Sequence, residues 1–242
     1  MSTDYTYSIT AGGDSRSFPE GDSFLVAAVE AGDISICLAG AFVPDSSRAA
    51  VAVELGTESL AEHTGEADPA MANVVGFARY RNGDDPPSPL VELVRHGTTS
   101  DSAMQAARAV FEAAGLTVAE CSDQPGRIID RLVRPKYNAA LRFLDEGLAT
   151  AEDMDLTCRL GLGYRDGPIE RLERGGLAHH YDVTQALFET FGTPAYAPAR
   201  RAVVAHRRRD KDGATGSGES GDGDSGTRDS GAAGGSSAGS AT

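Results

Sequence analysis

"CSDQPGRIIDRLVRPKYNAALRFLDEG", residues 121–147, is where the periodicity of the chain changes. Ile128, Ile129, Leu132, Val133, Tyr137, Ala140, Leu141 and Leu144 recur at helical spacing as one wide apolar stripe, opened by Pro125-Gly126 and closed by Gly147. The stripe is too broad for a lone surface helix. Pro135 inside it removes one backbone donor and predicts a kink that neighbouring packing must support. The helical pattern continues downstream. Thr150 and Asp153 in "TAEDMDLTCRLG" make a capping-box-like start, Pro168 stands at a first helical position, and "YDVTQALFETFG" (181–192) reads as a further helix. Residues 123–206 are therefore expected to form an all-α domain that buries its excess apolar face against a partner subunit.

Upstream, the pattern is that of strands. "ISICLAG" (34–40), "AVAVEL" (50–55), "VVGFARY" (74–80) and "LTVAE" (116–120) are short apolar runs bounded by Gly, Pro and Asp. Between the last two, "SDSAMQAARAVFEAAG" places Met104, Ala107, Val110, Phe111 and Ala114 on one helical face, with Ser100 or Asp101 as cap and Gly115 as stop. Buried strands alternating with helices predict a mostly parallel α/β sheet over residues 1–122.

The chain has 242 residues and a net charge of -14, which excludes nucleic acid and anionic membrane surfaces as partners on electrostatic grounds. Lys136 and Lys211 are its two lysines against 36 Asp and Glu. Two readings fit: a carboxylate surface adapted to high salt, or an Arg-for-Lys bias of a GC-rich genome. Cys37, Cys121 and Cys158 lack CxxC spacing, so neither a disulfide framework nor a zinc site is expected. The N-terminus reads as no secretory leader and no run of 18 apolar residues occurs, which places the protein in the cytoplasm. Residues 207–242 are rich in Gly, Ser and Asp with little to bury, and are expected to form a disordered acidic tail.

Taken together, "DQPGRIIDRLVRPKYNAALRFLDEGLATAEDMDLTCRLGLGYRDGPIERLERGGL" (123–177) resembles the C-terminal domain of the L-3-hydroxyacyl-CoA dehydrogenase family, which reads D-x-P-G-F-x-x-N-R, E-D-I-D, then L-G-x-G-Y-x-x-G-P-F-E-L. Upstream, "VVGFARY" and "PLVELV" are similar to that family's G-L-H-F-F-N-P and K-L-V-E-V. The resemblance implies a Rossmann-type NAD domain, an all-helical domain that forms the dimer, and oxidation of a 3-hydroxyacyl-CoA by hydride transfer to NAD. The fold expected is thus an α/β, truncated Rossmann-like sheet followed by an all-α dimerisation domain.

The resemblance also places the site. The family's His, which takes the hydroxyl proton, falls on Ala78, and an alanine accepts no proton. The Glu that orients that His is kept as Glu92, the catalytic candidate. The family's substrate-contacting Ser and Asn fall on Glu58 and Asp130, which put carboxylates where a neutral donor would polarise a carbonyl. For NAD the family needs G-x-G-x-x-G after its first strand; here stands "ITAGGDSRSFPEG" (9–21), so no residue is assigned to the nucleotide. "GLGYRDG" (161–167) follows a helix and is rejected as a phosphate loop. No metal ligands are assigned. His96 reads as an exposed loop residue, and the adjacent pair His179-His180 faces apart on a helix.

These residues predict a family member that binds acyl-CoA with weakened or lost NAD-linked hydride transfer, as a homodimer or as a subunit beside a complete dehydrogenase. Two alternatives stand beside it. One is an active acyl-CoA enzyme in which Glu92 works with Glu58, Asp130 or His96 as clustered, mutually perturbed carboxylates and base. The other is a purely structural homodimer.

Overall fold

The computed structural model describes residues 4–216. Six strands form one sheet in chain order: β1 (Tyr7–Ala11), β2 (Ile34–Leu38), β3 (Ala50–Glu54), β4 (Val74–Arg79), β5 (Leu90–Arg95) and β6 (Thr117–Ser122). Neighbours are parallel except β4 and β5, which run antiparallel. β1 was not expected from the sequence. "YSITA" has too little apolar alternation to stand out, and its pairing with β2 makes it a strand.

The sheet is buried on both faces, as its continuous apolar runs predict. Along β3, Ala50 and Ala52 face one core while Val51 and Val53 face the other. Three helices interrupt the strands: α1 (Ser23–Val26), α2 (Ala61–Thr64) and α3 (Asp101–Ala113). Ser100 caps α3 by accepting from Ala103 N, and Met104, Ala107, Val110 and Phe111 are its buried stripe. They pack on a ring cluster in which Phe18 stacks on Phe24 at 4.2 Å and Phe77 meets Phe111 at 5.1 Å between centroids.

Beyond β6 the chain is helical: α4 (Ile129–Asp145), α5 (Ala151–Leu162), α6 (Pro168–Gly175), α7 (Leu177–Phe191) and α8 (Arg200–Gly216). α4 runs unbroken through Pro135. Its stripe divides: Tyr137, Ala140 and Leu141 join Ile169, Leu172 and Ala202 in the helical core, whereas Leu132 is 70% exposed. Thr150 caps α5 by accepting from Asp153 N, and Gly163, at φ 69°, is that helix's left-handed C-cap, which accounts for the second glycine of "GLGYRDG". The expectation of disorder from residue 207 is corrected in part. α8 continues to Gly216, because Ala202 is buried against α4 and α6 and Arg209 pairs with Asp182 of α7 at 2.6 Å. The rest of the expected tail, 217–242, lies outside the described residues.

Candidate active-site cleft

A joint between the sheet and the helices forms at the end of β6. The carboxylate of Asp123 accepts from Leu60 N and Ala61 N at 2.7 and 2.9 Å, capping α2, and Gly126 N donates to Thr57 O. The turn that follows puts Gly126 at φ 71° and Arg127 at φ 47°, so a non-glycine residue is held in the left-handed region before α4 begins.

Between this joint, the carboxyl ends of β3 and β4, and α7 lies a cleft of about 330 Å³. Glu58, Ala78, Glu92 and Asp130 all line it. The fold thus gathers every site position assigned from the sequence, although they span 73 residues of chain.

Ala78 sits directly opposite Glu92 in the antiparallel β4–β5 ladder. Cross-strand neighbours in such a ladder are in side-chain reach, so an imidazole at residue 78 would meet Glu92. In its place is a methyl group. The Glu92 carboxylate is engaged elsewhere: Oε1 accepts from Ile128 N and Ile129 N at 3.0 and 2.8 Å, closing the N-terminus of α4, and Oε2 lies 3.5 Å from Arg127 Nε. Burial pushes the Glu92 carboxyl up, against the opposing pull of those backbone donors and of Arg127. The Arg127 guanidinium, side chain 4% exposed, also donates to Gly56 O, so it ties β5, the loop after β3 and α4 into one knot. Its Nε makes no hydrogen bond and is held by charge alone.

The other carboxylates are held separately. Asp130 accepts from Arg134 Nε at 2.8 Å, and Glu58 accepts from Gly56 N at 2.9 Å and lies 3.5 Å from His63. The three carboxylates of the clustered-carboxylate expectation share the cleft, each paired with its own donor or cation, and Asp130 adds to the upward push on Glu92. The expectation of an exposed His96 is corrected. It is 8% exposed, its backbone N–H donates to Thr99 Oγ1, and it does not line the cleft.

Sequence reading missed four contributors. Arg127 occupies the F of D-x-P-G-F, a departure visible in the motif. Glu54, 8% exposed, accepts from Ser15 Oγ, Ser17 N and Ala39 N, and so folds the segment after β1 across the carboxyl ends of β2 and β3. Arg79 extends that cover to β4 by donating to Ser17 O and Asp22 Oδ2. In open α/β sheets that edge is where ligands enter. His179 enters the cleft from α7, while His180 points inward. His180 Nε2–H donates to Asn138 Oδ1 at 3.0 Å and Nδ1 accepts from Arg134 at 3.3 Å, a neutral tautomer that burial and Arg134 hold down to about 3. Among the described residues no group of three His, Cys, Asp or Glu could hold a metal ion, and no helix is long and apolar enough to cross a membrane.

A mostly parallel, Rossmann-like sheet joined to a helical domain, with a cleft at the joint, defines the class of fold. Residues 126–218 match the model of the 3-hydroxyacyl-CoA dehydrogenase C-terminal domain. A Mycobacterium tuberculosis 3-hydroxybutyryl-CoA dehydrogenase is 36% identical over 116 residues, 47% of this chain and 40% of that one. The mitochondrial hydroxyacyl-coenzyme A dehydrogenase of Sus scrofa is 32% identical over 138 residues, 53% of this chain and 41% of that one. A solved (S)-3-hydroxybutyryl-CoA dehydrogenase from Ralstonia eutropha superposes with a TM-score of 0.62 at 25% identity, covering 75% of this chain and 66% of that chain. The helical part of the chain, residues 126–218, is thus similar to the C-terminal domain of 3-hydroxyacyl-CoA dehydrogenases. The chain's matches span 40% and 41% of the length of these two curated relatives.

Proposed function

We propose that this family member binds an acyl-CoA in the cleft between sheet and helices and performs no NAD-linked hydride transfer of its own. The observation that carries this reading is the pairing of Ala78 with Glu92. Removing a hydroxyl proton needs an acceptor within hydrogen-bond reach, and the methyl group at residue 78 is none. Glu92 gives Oε1 to the α4 N-terminus, and its Oε2 lies 3.5 Å from Arg127, whose charge opposes its taking up a proton.

The nucleotide side supports the same reading. A pyrophosphate needs backbone N–H groups at a helix N-terminus close after the first strand. Here β1 leads into the segment anchored by Glu54, and the next helix, α1, has four residues. If NAD chemistry serves this ligand, the nucleotide site is supplied from outside residues 4–216.

The exposed apolar residues of the helical domain support assembly as a homodimer or beside a complete dehydrogenase. Leu156 and Leu160, 47% and 79% exposed, share one face of α5, and Leu132 on α4 adds to the uncovered apolar surface. Calorimetric titration in molar KCl with acetoacetyl-CoA and with NADH separately, then absorbance with both present, tests the reading. Heat from acetoacetyl-CoA alone, with no loss of NADH, is expected. NADH binding with turnover would overturn it.

A further inference from the structure

We propose that one wall of the cleft, formed by Arg16, Arg134 and His179, is an oxyanion subsite that takes a carboxylate or phosphate group carried by the ligand. The inference rests on the acyl-CoA reading but names a chemistry which that reading does not require.

The first observation is how the arginines of the cleft are matched. Arg79 is paired with Asp22, Arg127 with Glu92 and Arg134 with Asp130. Among the described residues the two other arginines of the cleft, Arg16 and Arg81, have no carboxylate within ion-pair range: Arg16 donates to Arg81 O at 3.4 Å and Arg81 to the carbonyls of Asp84 and Asp85, and of the two it is Arg16 that acts on His179. In a chain of net charge -14, an unmatched guanidinium facing a cavity marks a place where an anion is attracted. Its planar fork suits a carboxylate or a phosphate. Arg134 is anchored by Asp130 and by His180 Nδ1, which fixes its guanidinium on the same wall.

His179 is the second, independent observation. Its imidazole lines the cleft and makes no hydrogen bond to any described residue. The charged groups around it are Arg16 from the segment after β1, Arg134 and Asp130 from α4, and Asp182 on its own helix. Burial, then Arg16 and Arg134, hold its proton affinity down to about 4, and the two carboxylates do not offset them. The cleft wall is thus electropositive at the ring. An anion seated between Arg16 and Arg134 cancels those two influences and supplies the ring with an acceptor. His179 then gains a proton, so binding draws proton uptake. The same wall adjoins Asp130, which the resemblance places at the acyl group, and Ala78 leaves room on the opposite strand.

The test uses the full chain in two measurements. Imidazole NMR signals are followed through pH with and without free malonate, with His179→Gln assigning the ring. Malonate is expected to raise the His179 pKa by about one unit or more, and Arg16→Ala to abolish that shift. Calorimetry then compares malonyl-CoA, acetyl-CoA and their pantetheine analogues. About tenfold tighter binding of malonyl-CoA over acetyl-CoA, lost in Arg16→Ala, assigns the oxyanion to the acyl group. Equal binding of the two with a tenfold loss in the pantetheines and in Arg16→Ala assigns it to the phosphates of CoA. Acyl-CoA binding that ignores both the charge and Arg16→Ala, with a His179 signal indifferent to malonate, overturns the subsite and leaves the acyl-CoA reading standing. A malonate-dependent His179 shift without any acyl-CoA binding upholds the subsite and overturns that reading instead.

Discussion

At the scale of single residues, the protein turns on what surrounds Glu92. In the family pattern this carboxylate would hold an imidazole on the neighbouring strand. Here the imidazole is a methyl group, and a guanidinium has entered from the turn before α4. An arginine remains protonated throughout the working pH range, so it neutralises Glu92 without passing a proton on. Reinstalling the base is therefore not enough: Ala78→His with Asp130→Asn is expected to give no NADH-linked turnover of acetoacetyl-CoA, checked by absorbance at 340 nm. Glu92 also makes a sign-specific prediction. Its folded pKa is raised, chiefly by burial, so the folded state favours the protonated acid. That contribution is fully present below the unfolded value and is lost as pH rises through the raised one. Relative to Glu92→Gln, the wild type should therefore lose stability as pH rises above about 4.5, read from denaturant midpoints at each pH. A wild type that instead gains stability relative to Glu92→Gln as pH rises would contradict the burial argument.

At the scale of elements, helix ends decide how the second half assembles, and much of that was legible. Thr150, Ser100 and Pro168 stand where capping chemistry predicts. Asp155 was not assigned a role, because its partners are distant in sequence. Its carboxylate, on a residue 7% exposed, accepts from Ile169 N and Glu170 N at 2.8 and 2.9 Å and so closes the N-terminus of α6 from the side of α5. Asp155→Ala should cost about 1–2 kcal/mol in urea unfolding, the usual worth of a helix cap. Gly167→Ala should cost at least as much, since a Cβ there overlaps the Asp155 carboxylate. The strands show the opposite case. β3 could be read from its own residues, whereas β1 exists because β2 offers it a free edge.

At the scale of the whole molecule, surface charge and buried histidines set the conditions under which it holds together. With 36 carboxylates against 22 cationic Lys and Arg, self-repulsion is strong at low salt, and the melting temperature should rise between about 0.1 and 2 M KCl as screening shortens its range. Acid acts through the helical domain. His180 and His179 are held down to about 3 and about 4 while their unfolded value is 6.5. Between those values the unfolded chain binds more protons than the folded one, so stability falls as pH drops from about 6.5 toward 4. His180→Gln should flatten that slope in thermal scans, even if its absolute stability is lower. The proposed assembly belongs to this scale as well. Leu156→Glu with Leu160→Glu should convert a dimer to a 25 kDa monomer in sedimentation velocity, and an unchanged mass would remove α5 from the interface.

Sequence alone determined the change from strand to helical period near residue 123, the family resemblance, and the alanine at residue 78 where that resemblance would place a histidine. Each of these is written in local spacing or in the identity of one residue within a motif. Tertiary structure decided which charges met. Arg127 reaches Glu92 across 35 positions, His180 is locked to Asn138 across 42, and Glu54 draws the segment after β1 over the sheet edge. A carboxylate acquires its chemistry from the donors and cations that folding brings within a few ångströms, and those distances are set by packing between elements.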